Sequence, residues 1–541
     1  MIDEIKMYGR FVSRFRSFLK NKITLEEARA VVKQRLAERE DHFLRLVEKG
    51  VFGYGDSPYL PLMKLAGCEM GDVRNMVRAR GIEGTLLELR RAGVYVGFEE
   101  FKGRKPIERN GRVIPLGGRR FDNPFLSHSY YVESGGTTGA GTRVPQDLDH
   151  QASRSYHELL FYEVHGLLGV PTATWFGILP SSAGIGNILR QVQIGQISKK
   201  WFTPILSDDL KPALRFRLAT WAIVATARLL GEPIPYPELL RLDQAHVLAR
   251  WAADNIKAHG ACMVRTTVSA SLRVCMAARE MGLDLSGATF VGGGEAPTPA
   301  KVKGITSTGA RHLSIYSISE LGGVAKACAN PVDESDVHFF YDAFALITHP
   351  RQVPNTEIEV DAFHFTTLLP TAPKILLNVE LDDYGIVERR SCGCLYEEYG
   401  FDRHLRQIGS FQKLTGEGMT LVGSDMVRIL EEVLPARFGG SPLDYQLEEV
   451  EDEQGFTRLN LMIHPKIKIE READVIETVA EELRRGSVGA DMARAYWQQA
   501  GILRVKRIEP VWTSRAKLMS LHLARRTAMS GQGSGDSSAG A

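Results

Sequence analysis

The chain has 541 residues, 44% apolar and 24% charged, enough to bury a large core and to divide into more than one domain. Its 67 Lys and Arg against 65 Asp and Glu leave a formal charge of +2, a balance that argues against nucleic acid or a membrane as the main partner and points to small molecules. No run approaches the roughly 20 apolar residues that span a bilayer, the opening Met1-Ile2-Asp3-Glu4-Ile5-Lys6 has no signal-peptide stretch, and a cytoplasmic location is expected.

The first hundred or so residues have a helical pattern. Residues 24–48 are rich in Glu, Arg, Leu and Ala, and Met70 to Arg91 sets Val73, Met76, Val77, Ile82, Leu86 and Leu87 at helical spacing, with Asp72 or Thr85 as caps. The basic stretch Phe101-Lys102-Gly103-Arg104-Lys105 reads as a solvated connector. Residues 134–143, Ser-Gly-Gly-Thr-Thr-Gly-Ala-Gly-Thr-Arg, are the most informative segment. The four glycines let backbone N–H groups turn toward an anion, and Ser134, Thr137, Thr138 and Thr142 add hydroxyl donors. This reads as a nucleotide loop, but no Gly-Lys-Ser/Thr follows as in a P-loop, and it is not the dinucleotide fingerprint before a helix.

From about 150 to 330 helical patterns alternate with short β-rich runs, as in an α/β domain. Helices are expected from Leu148 to Leu168 and within Lys211–Leu230 and Tyr236–His259, and a strand at Ala288–Val291 before Gly292-Gly293-Gly294. Strands follow near 338–348 and 374–389. A smaller unit begins near 410 and runs to about 527: a helix at 424–434, strands at 445–451 and 458–464, helices at 472–485 and 489–500, and a strand at 503–509. Val475, Ile476, Val479 and Leu483 give the 472–485 helix an apolar stripe. The Gly/Ser-rich end, 530–541, cannot bury a core and is expected to be disordered.

Three downstream segments join the glycine loop in a family resemblance. Gly136-Thr137-Thr138-Gly139-Ala140-Gly141-Thr142 is similar to Gly-Thr-Thr-Gly-Lys-Pro-Thr, Ser314-Ile315-Tyr316-Ser317-Ile318-Ser319-Glu320 to Tyr-Gly-x-Ser/Thr-Glu, and Phe411-Gln412-Lys413-Leu414-Thr415-Gly416-Glu417 to a large-to-small domain junction. In that order, over roughly residues 120–525, they resemble the adenylate-forming superfamily of acyl-CoA synthetases and ligases, most closely its phenylacetate-CoA ligase-like branch. The resemblance implies an α/β fold: a large multi-sheet N-terminal domain with a helical N-terminal extension (1–115) and an adenylate-forming core (116–409), a small mobile α+β C-terminal domain (410–527), and a tail (528–541).

It also implies a chemistry. A carboxylate attacks the α-phosphate of ATP, pyrophosphate leaves, and a nucleophile takes the acyl group, so positioning and electrostatics dominate. Gly136, Thr137, Thr138, Gly139 and Thr142 then cradle the phosphates. Arg143 stands where many relatives carry lysine. Glu320, with Ser319 beside it, holds Mg²⁺, for which a carboxylate is a suitable hard ligand. Tyr316 lies against adenine, and Gly294 and Glu295 flank the adenine and the acyl group. Asp383 takes the ribose hydroxyls, with Asp382 close behind, assisted by Arg406 or Arg403. In Val511-Trp512-Thr513-Ser514-Arg515-Ala516-Lys517, Lys517 is the adenylation lysine, whose charge bridges carboxylate and α-phosphate. The small domain is expected to rotate between half-reactions, with Lys413 as pivot or phosphate contact. Residues 175–184 combine aromatic and small side chains that suit an aryl or medium acyl acid.

The six cysteines are too few for a disulfide framework. Cys392-Gly393-Cys394 with Cys328 and His338 makes a Cys₃His set suited to tetrahedral, structural zinc, and some members of the branch carry zinc in this area. The expected cofactors are thus ATP, Mg²⁺, coenzyme A as acceptor and Zn²⁺. An amine, nitrite or a carrier-protein thiol in place of coenzyme A is the alternative, and a catalytically inactive nucleotide-binding scaffold is a second one. No nucleic-acid or membrane partner is expected.

Overall fold

A computed structural model describes residues 14–114, 121–126, 130–133, 143–179, 181–205, 214–352, 359–411, 413–416, 419–422, 428–484, 497, 499–511 and 521–523. The 24–48 stretch forms two helices, α1 (Leu25–Ala37) and α2 (Arg39–Val47). Thr24 caps α1, its hydroxyl accepting the Glu27 N–H at 3.1 Å, with Glu26 and Glu27 at the positive end of the helix. In α3 (Met70–Arg91) neither expected cap holds that position. Asp72 lies inside the first turn and accepts the Glu69 N–H at 2.9 Å, making a reciprocal box, while Thr85 lies mid-helix and bonds back to the Gly81 carbonyl. Gly81, at φ 68°, kinks the helix there. A single turn, α4 (Phe98–Phe101), ends this region. These helices bury Val32, Phe43 and Leu86 in one core with Phe363 and Leu376 of the sheet region, so the N-terminal region is part of the large unit.

Twelve strands form one sheet: β1 (Thr172–Trp175), β2 (Lys200–Thr203), β3 (Pro237–Leu239), β4 (Cys262–Thr267), β5 (Ala288–Gly293), β6 (Arg311–Ile318), β7 (Gly322–Ala327), β8 (Val337–Phe339), β9 (Phe344–Gln352), β10 (Glu359–Thr367), β11 (Val379–Arg389) and β12 (Arg403–Ser410), in spatial order 9-10-11-12-8-7-6-5-4-1-2-3. Strands β3, β2, β1, β4, β5 and β6 are parallel neighbours, and from β6 onward every pair is antiparallel. The multi-sheet expectation is corrected here. The short strand β8 pairs with β7 on one side and β12 on the other, fusing the parallel and antiparallel halves into one mixed sheet, with small two-stranded ribbons beside it. The helix expected within Tyr236–His259 runs from Ala245 to His259, because Pro233, Pro235 and Pro237 keep their predecessors extended and the chain first enters edge strand β3.

Helices α5 (Leu148–Val164), α6 (Ser182–Gln193), α7 (Leu214–Leu229), α8 (Ala245–His259), α9 (Val268–Glu280) and α10 (Pro299–Thr306) accompany the parallel half. Buried charges fix α5. Glu158 pairs with Arg265 of β4, accepts Lys326 Nζ of β7 at 2.6 Å and lies 3.6 Å from Arg190 of α6. Burial opposes the Glu158 charge, but the surrounding cations more than offset it and hold the carboxyl well below its usual range. Burial lowers Lys326 to about 7.

The smaller unit has a separate sheet of β13 (Tyr445–Glu451), β14 (Thr457–Ile463), β15 (Leu503–Lys506) and β16 (Leu521–Leu523), in order 15-14-13-16, with α11 (Glu472–Arg484) carrying buried Val475 and Val479. Its Phe456 and Leu459 share a core with Leu272 and Ile305 of α9 and α10, and Lys301 Nζ reaches Thr457 Oγ1 at 3.3 Å. The expected 489–500 helix lies mostly outside the described residues, as does the 528–541 tail.

Candidate nucleotide site and metal centre

The parallel strands end on one side of the sheet, where β6 runs through Tyr316 into the turn that holds Ser319 and Glu320. A register shift between Tyr316 and Ser317 bends this end. On β11, Asp382 has φ 72°, and the next residue, Asp383, stands opposite Ser410. The Tyr316 hydroxyl donates to Asp383 Oδ2 at 2.8 Å and the Ser410 hydroxyl donates to Oδ1 at 2.6 Å. Two residues singled out far apart in the sequence, Tyr316 and Asp383, thus meet. Burial, and then the Asp383 charge, push the Tyr316 phenol well above its ordinary value, which keeps it a donor. Ser410 was not anticipated, because a lone serine at a strand end has no pattern to read.

Glu320 is buried, and Lys102, the residue after α4, reaches its Oε1 at 2.8 Å. The solvated-connector reading of the 101–105 stretch is therefore corrected at Lys102, whose ammonium lies 5.8 and 5.5 Å from the ring centres of Phe98 and Phe101. Beyond Glu320, the Gly322-Gly323 backbone lies under the Arg154 guanidinium. A Cβ on Gly322 would come within 2.7 Å of it. Arg154 belongs to α5, which starts directly after the ribbon of Tyr130–Glu133 and Arg143–Gln146, with Asp147 accepting the Asp149 N–H at 2.8 Å. That ribbon flanks the glycine loop. The loop residues Gly136, Thr137, Thr138, Gly139 and Thr142 lie outside the described residues, as does Lys517, while Lys413 is described only as backbone in the Lys413–Gly416 ribbon strand.

Three other candidates have different surroundings from those expected. Glu295 follows Gly294 (φ 82°) and accepts the Ser269 N–H, the Ser269 hydroxyl and Lys301 Nζ, each at 2.7 Å. Burial disfavours its charge, but Lys301 and Ser269 outweigh that and hold its carboxyl low. It therefore ties the β5 loop to the N-terminus of α9 and to α10. Arg406 stands opposite Ile386, gripped by both Glu388 oxygens at 2.9 and 3.0 Å and by Asp333 at 3.0 Å, and Arg403 pairs with Glu83 at 2.7 Å. Neither arginine has Asp383 among these partners, because β12 carries both of them away from Ser410 toward its other end.

The Cys₃His set comes together. The ligand atoms of Cys328, His338, Cys392 and Cys394 all lie within 4.8 Å of one another, with His338 Nε2 3.1 Å from Cys394 Sγ and 3.5 Å from Cys392 Sγ. Donors about 2.0–2.3 Å from a common tetrahedral ion need nearly this mutual spacing. Cys328 follows β7, His338 lies on β8, and the Cys392-Gly393-Cys394 turn, with Gly393 at φ 68°, follows β11. Glu397 pins the turn by accepting the N–H groups of Cys392 (3.1 Å) and Gly393 (2.8 Å), and the His338 ring lies 4.1 Å from His404, itself bonded to Asp336 at 2.7 Å. A hydrogen bond from Cys328, then contact with His338, hold the Cys394 thiol far below its ordinary value. The same shared proton, and then burial, push Cys328 up, and burial pushes Cys392 up. One thiolate is thus already favoured, and a divalent ion would displace the remaining protons.

The fold resembles that of a solved CoA ligase. Over 95% of this chain and 93% of the other, it is similar to 2-hydroxyisobutyryl-CoA ligase, solved with 2-HIB-AMP and CoA in the thioesterification state, at a TM-score of 0.53 and 14% identity. The same ligase in its postadenylation state gives 0.45 at 13% identity over 94% and 92% of the chains, and a variant amide bond synthetase from Marinactinospora thermotolerans gives 0.40 at 12% over 87% and 86%. No protein family and no curated protein matches the sequence.

Proposed function

We propose that this chain is an ATP- and Mg²⁺-dependent ligase of the phenylacetate-CoA ligase-like branch. It converts an aryl or medium-length carboxylic acid to an acyl-adenylate, releasing pyrophosphate, and passes the acyl group to coenzyme A. The observation that carries this reading is the Asp383 carboxylate with hydroxyls of Tyr316 and Ser410 on its two oxygens, Tyr316 standing four residues before Glu320 near the carboxyl end of parallel strand β6, the end of the sheet where α/β proteins bind ligands.

In this reading Asp383 exchanges its two hydroxyl partners for the ribose hydroxyls, and the Tyr316 ring lies along the adenine. Thr137 and Thr138 of the glycine loop hold the β- and γ-phosphates. Glu320 is the hard oxygen donor for magnesium, which neutralises the triphosphate when bound. For that role its contact with Lys102 must open, and the released Lys102 ammonium is then free to face the phosphates. Lys517 supplies charge where the acid oxygen attacks the α-phosphorus, and the small domain turns about the Lys413 junction before thioester formation. Zinc at Cys328, His338, Cys392 and Cys394 is structural, because four protein donors leave no open position.

ATP–pyrophosphate exchange with a panel of acids tests the proposal. Exchange with aryl or medium acyl acids, lost in Lys517→Ala while ATP still binds, is the expected result. Exchange with nitrite but no carboxylate points to the amine- or nitrite-using alternative, and ATP binding without exchange for any acid points to a scaffold.

A further inference from the structure

The boundary between the large and small units covers a charged pair. Glu295 and Lys301, each with 1% of its side chain exposed, meet at 2.7 Å, and Ser269 fixes the carboxylate through its N–H and its hydroxyl. The cover comes from the small unit. Between β13 and β14 the chain turns through Gly455 (φ 88°), where a Cβ would come within 3.3 Å of the Lys301 backbone N and 3.4 Å of the Ala300 carbonyl carbon. Thr457 follows, and its hydroxyl accepts Lys301 Nζ at 3.3 Å. Asp452 holds the turn in shape, accepting the N–H groups of Gln454 (3.1 Å) and Phe456 (2.9 Å) and Arg458 Nε (2.7 Å).

Much of the surrounding contact is apolar. Phe456 and Leu459 share a core with Leu272 and Ile305, and the Arg273 guanidinium lies 4.4 Å from the centre of the Phe456 ring. Farther along, Gln499 bonds the Leu242 N–H and the Pro204 carbonyl at 3.3 and 3.2 Å. Removal of apolar surface from water holds such a boundary shut. Lys301 acts in the opposite sense. Among the described residues Glu295 and Thr457 are the acceptors its ammonium finds, and an ammonium can donate to one more. Water meets that need once the turn lifts. Hydration of Lys301 therefore favours the open arrangement and offsets part of the apolar contact, because the charge is buried only while the turn is down.

We infer that Lys301 is a positioning residue that keeps the docking of the small unit reversible. With the turn down, Lys301 is held between Glu295, which follows β5, and Thr457. With the turn up, it keeps Glu295 and gains water. The use of this device rests on the proposed rotation of the small domain, which a wholly apolar boundary would slow. The docking is measured without ATP or acid, so its outcome is separate from that of the proposed activity.

Hydrogen–deuterium exchange of the full chain, followed by mass spectrometry over residues 299–306 of α10 and 452–459 of the turn and β14, provides the test, because amides covered at a boundary exchange through its opening. Thr457→Val keeps the shape of the side chain but removes the acceptor, and should speed exchange severalfold in both segments. Thr457→Ser, which keeps the hydroxyl, should exchange like the natural chain. Lys301→Met with Glu295→Gln removes both charges from under the turn while leaving Ser269 an acceptor, and should slow exchange severalfold in both segments. If the pair only braces the boundary, that double variant exchanges faster, as Thr457→Val does, and this result overturns the inference. So does an unchanged rate in Thr457→Val, or a change confined to one of the segments.

Discussion

Asp383 accepts a hydroxyl on each carboxylate oxygen, so its removal strands two donors. Asp383→Ala is expected to raise the KM for ATP about tenfold or more in pyrophosphate exchange, since hydrogen bonds to a charged group are worth about 1.5–3 kcal/mol each. Tyr316→Phe, which removes one donor, should have the smaller effect. Lys102→Met withdraws the cation from buried Glu320 and should cost about 1–3 kcal/mol in urea unfolding. Restoring the charge with Lys102→Arg should recover part of the loss. Tyr316 and Glu320 were singled out in the sequence because they share one short motif, and Asp383 because an acid precedes Gly385 at the spacing the family resemblance implies. Ser410 and Lys102 were not, since each contact joins segments far apart in the chain, and a lone serine or a lysine in a basic run has the composition of surface.

At the level of elements, the candidate metal centre draws on three strands: Cys328 after β7, His338 on β8 and the Cys392–Cys394 turn after β11. Purified protein is expected to carry about one zinc per chain by elemental analysis. Cys392→Ser should carry much less and melt at a lower temperature, as a structural zinc site contributes directly to folding. Helix α5 depends instead on charge. Glu158→Gln leaves Arg265 and Lys326 buried without their carboxylate, and a loss of about 3–5 kcal/mol is expected in equilibrium urea unfolding. Helices α3 and α5 and strands β13 and β14 lie where helical spacing and β-rich runs in the sequence place them. Strand β3 was not apparent, because three residues that begin at Pro237, the last of three closely spaced prolines, offer too little pattern to separate them from a helix start.

For the molecule as a whole, buried neutral histidines set the response to acid. Burial lowers His165 and His312 to about 4 and His364 to about 3. Their unfolded values are about 6.5, so between there and pH 4 the unfolded chain takes up protons that the folded chain refuses. The stability they contribute is full above pH 6.5 and is lost as pH falls toward 4, by up to about 1.4 kcal/mol per pH unit for each residue. Urea midpoints measured from pH 7.5 to 5 should fall, and His364→Asn should flatten that slope. The order of motifs, the α/β class, the cysteines fit for a metal and the absence of a long apolar run are properties of the chain read alone, because they depend on composition and local spacing. The fusion of two half-sheets through β8, the partners of Lys102, Glu295 and Arg406, and the side of α7 that the core covers were decided only by tertiary structure. Each depends on which distant segments become neighbours, and a helix with apolar residues on two faces does not disclose which side the core will cover.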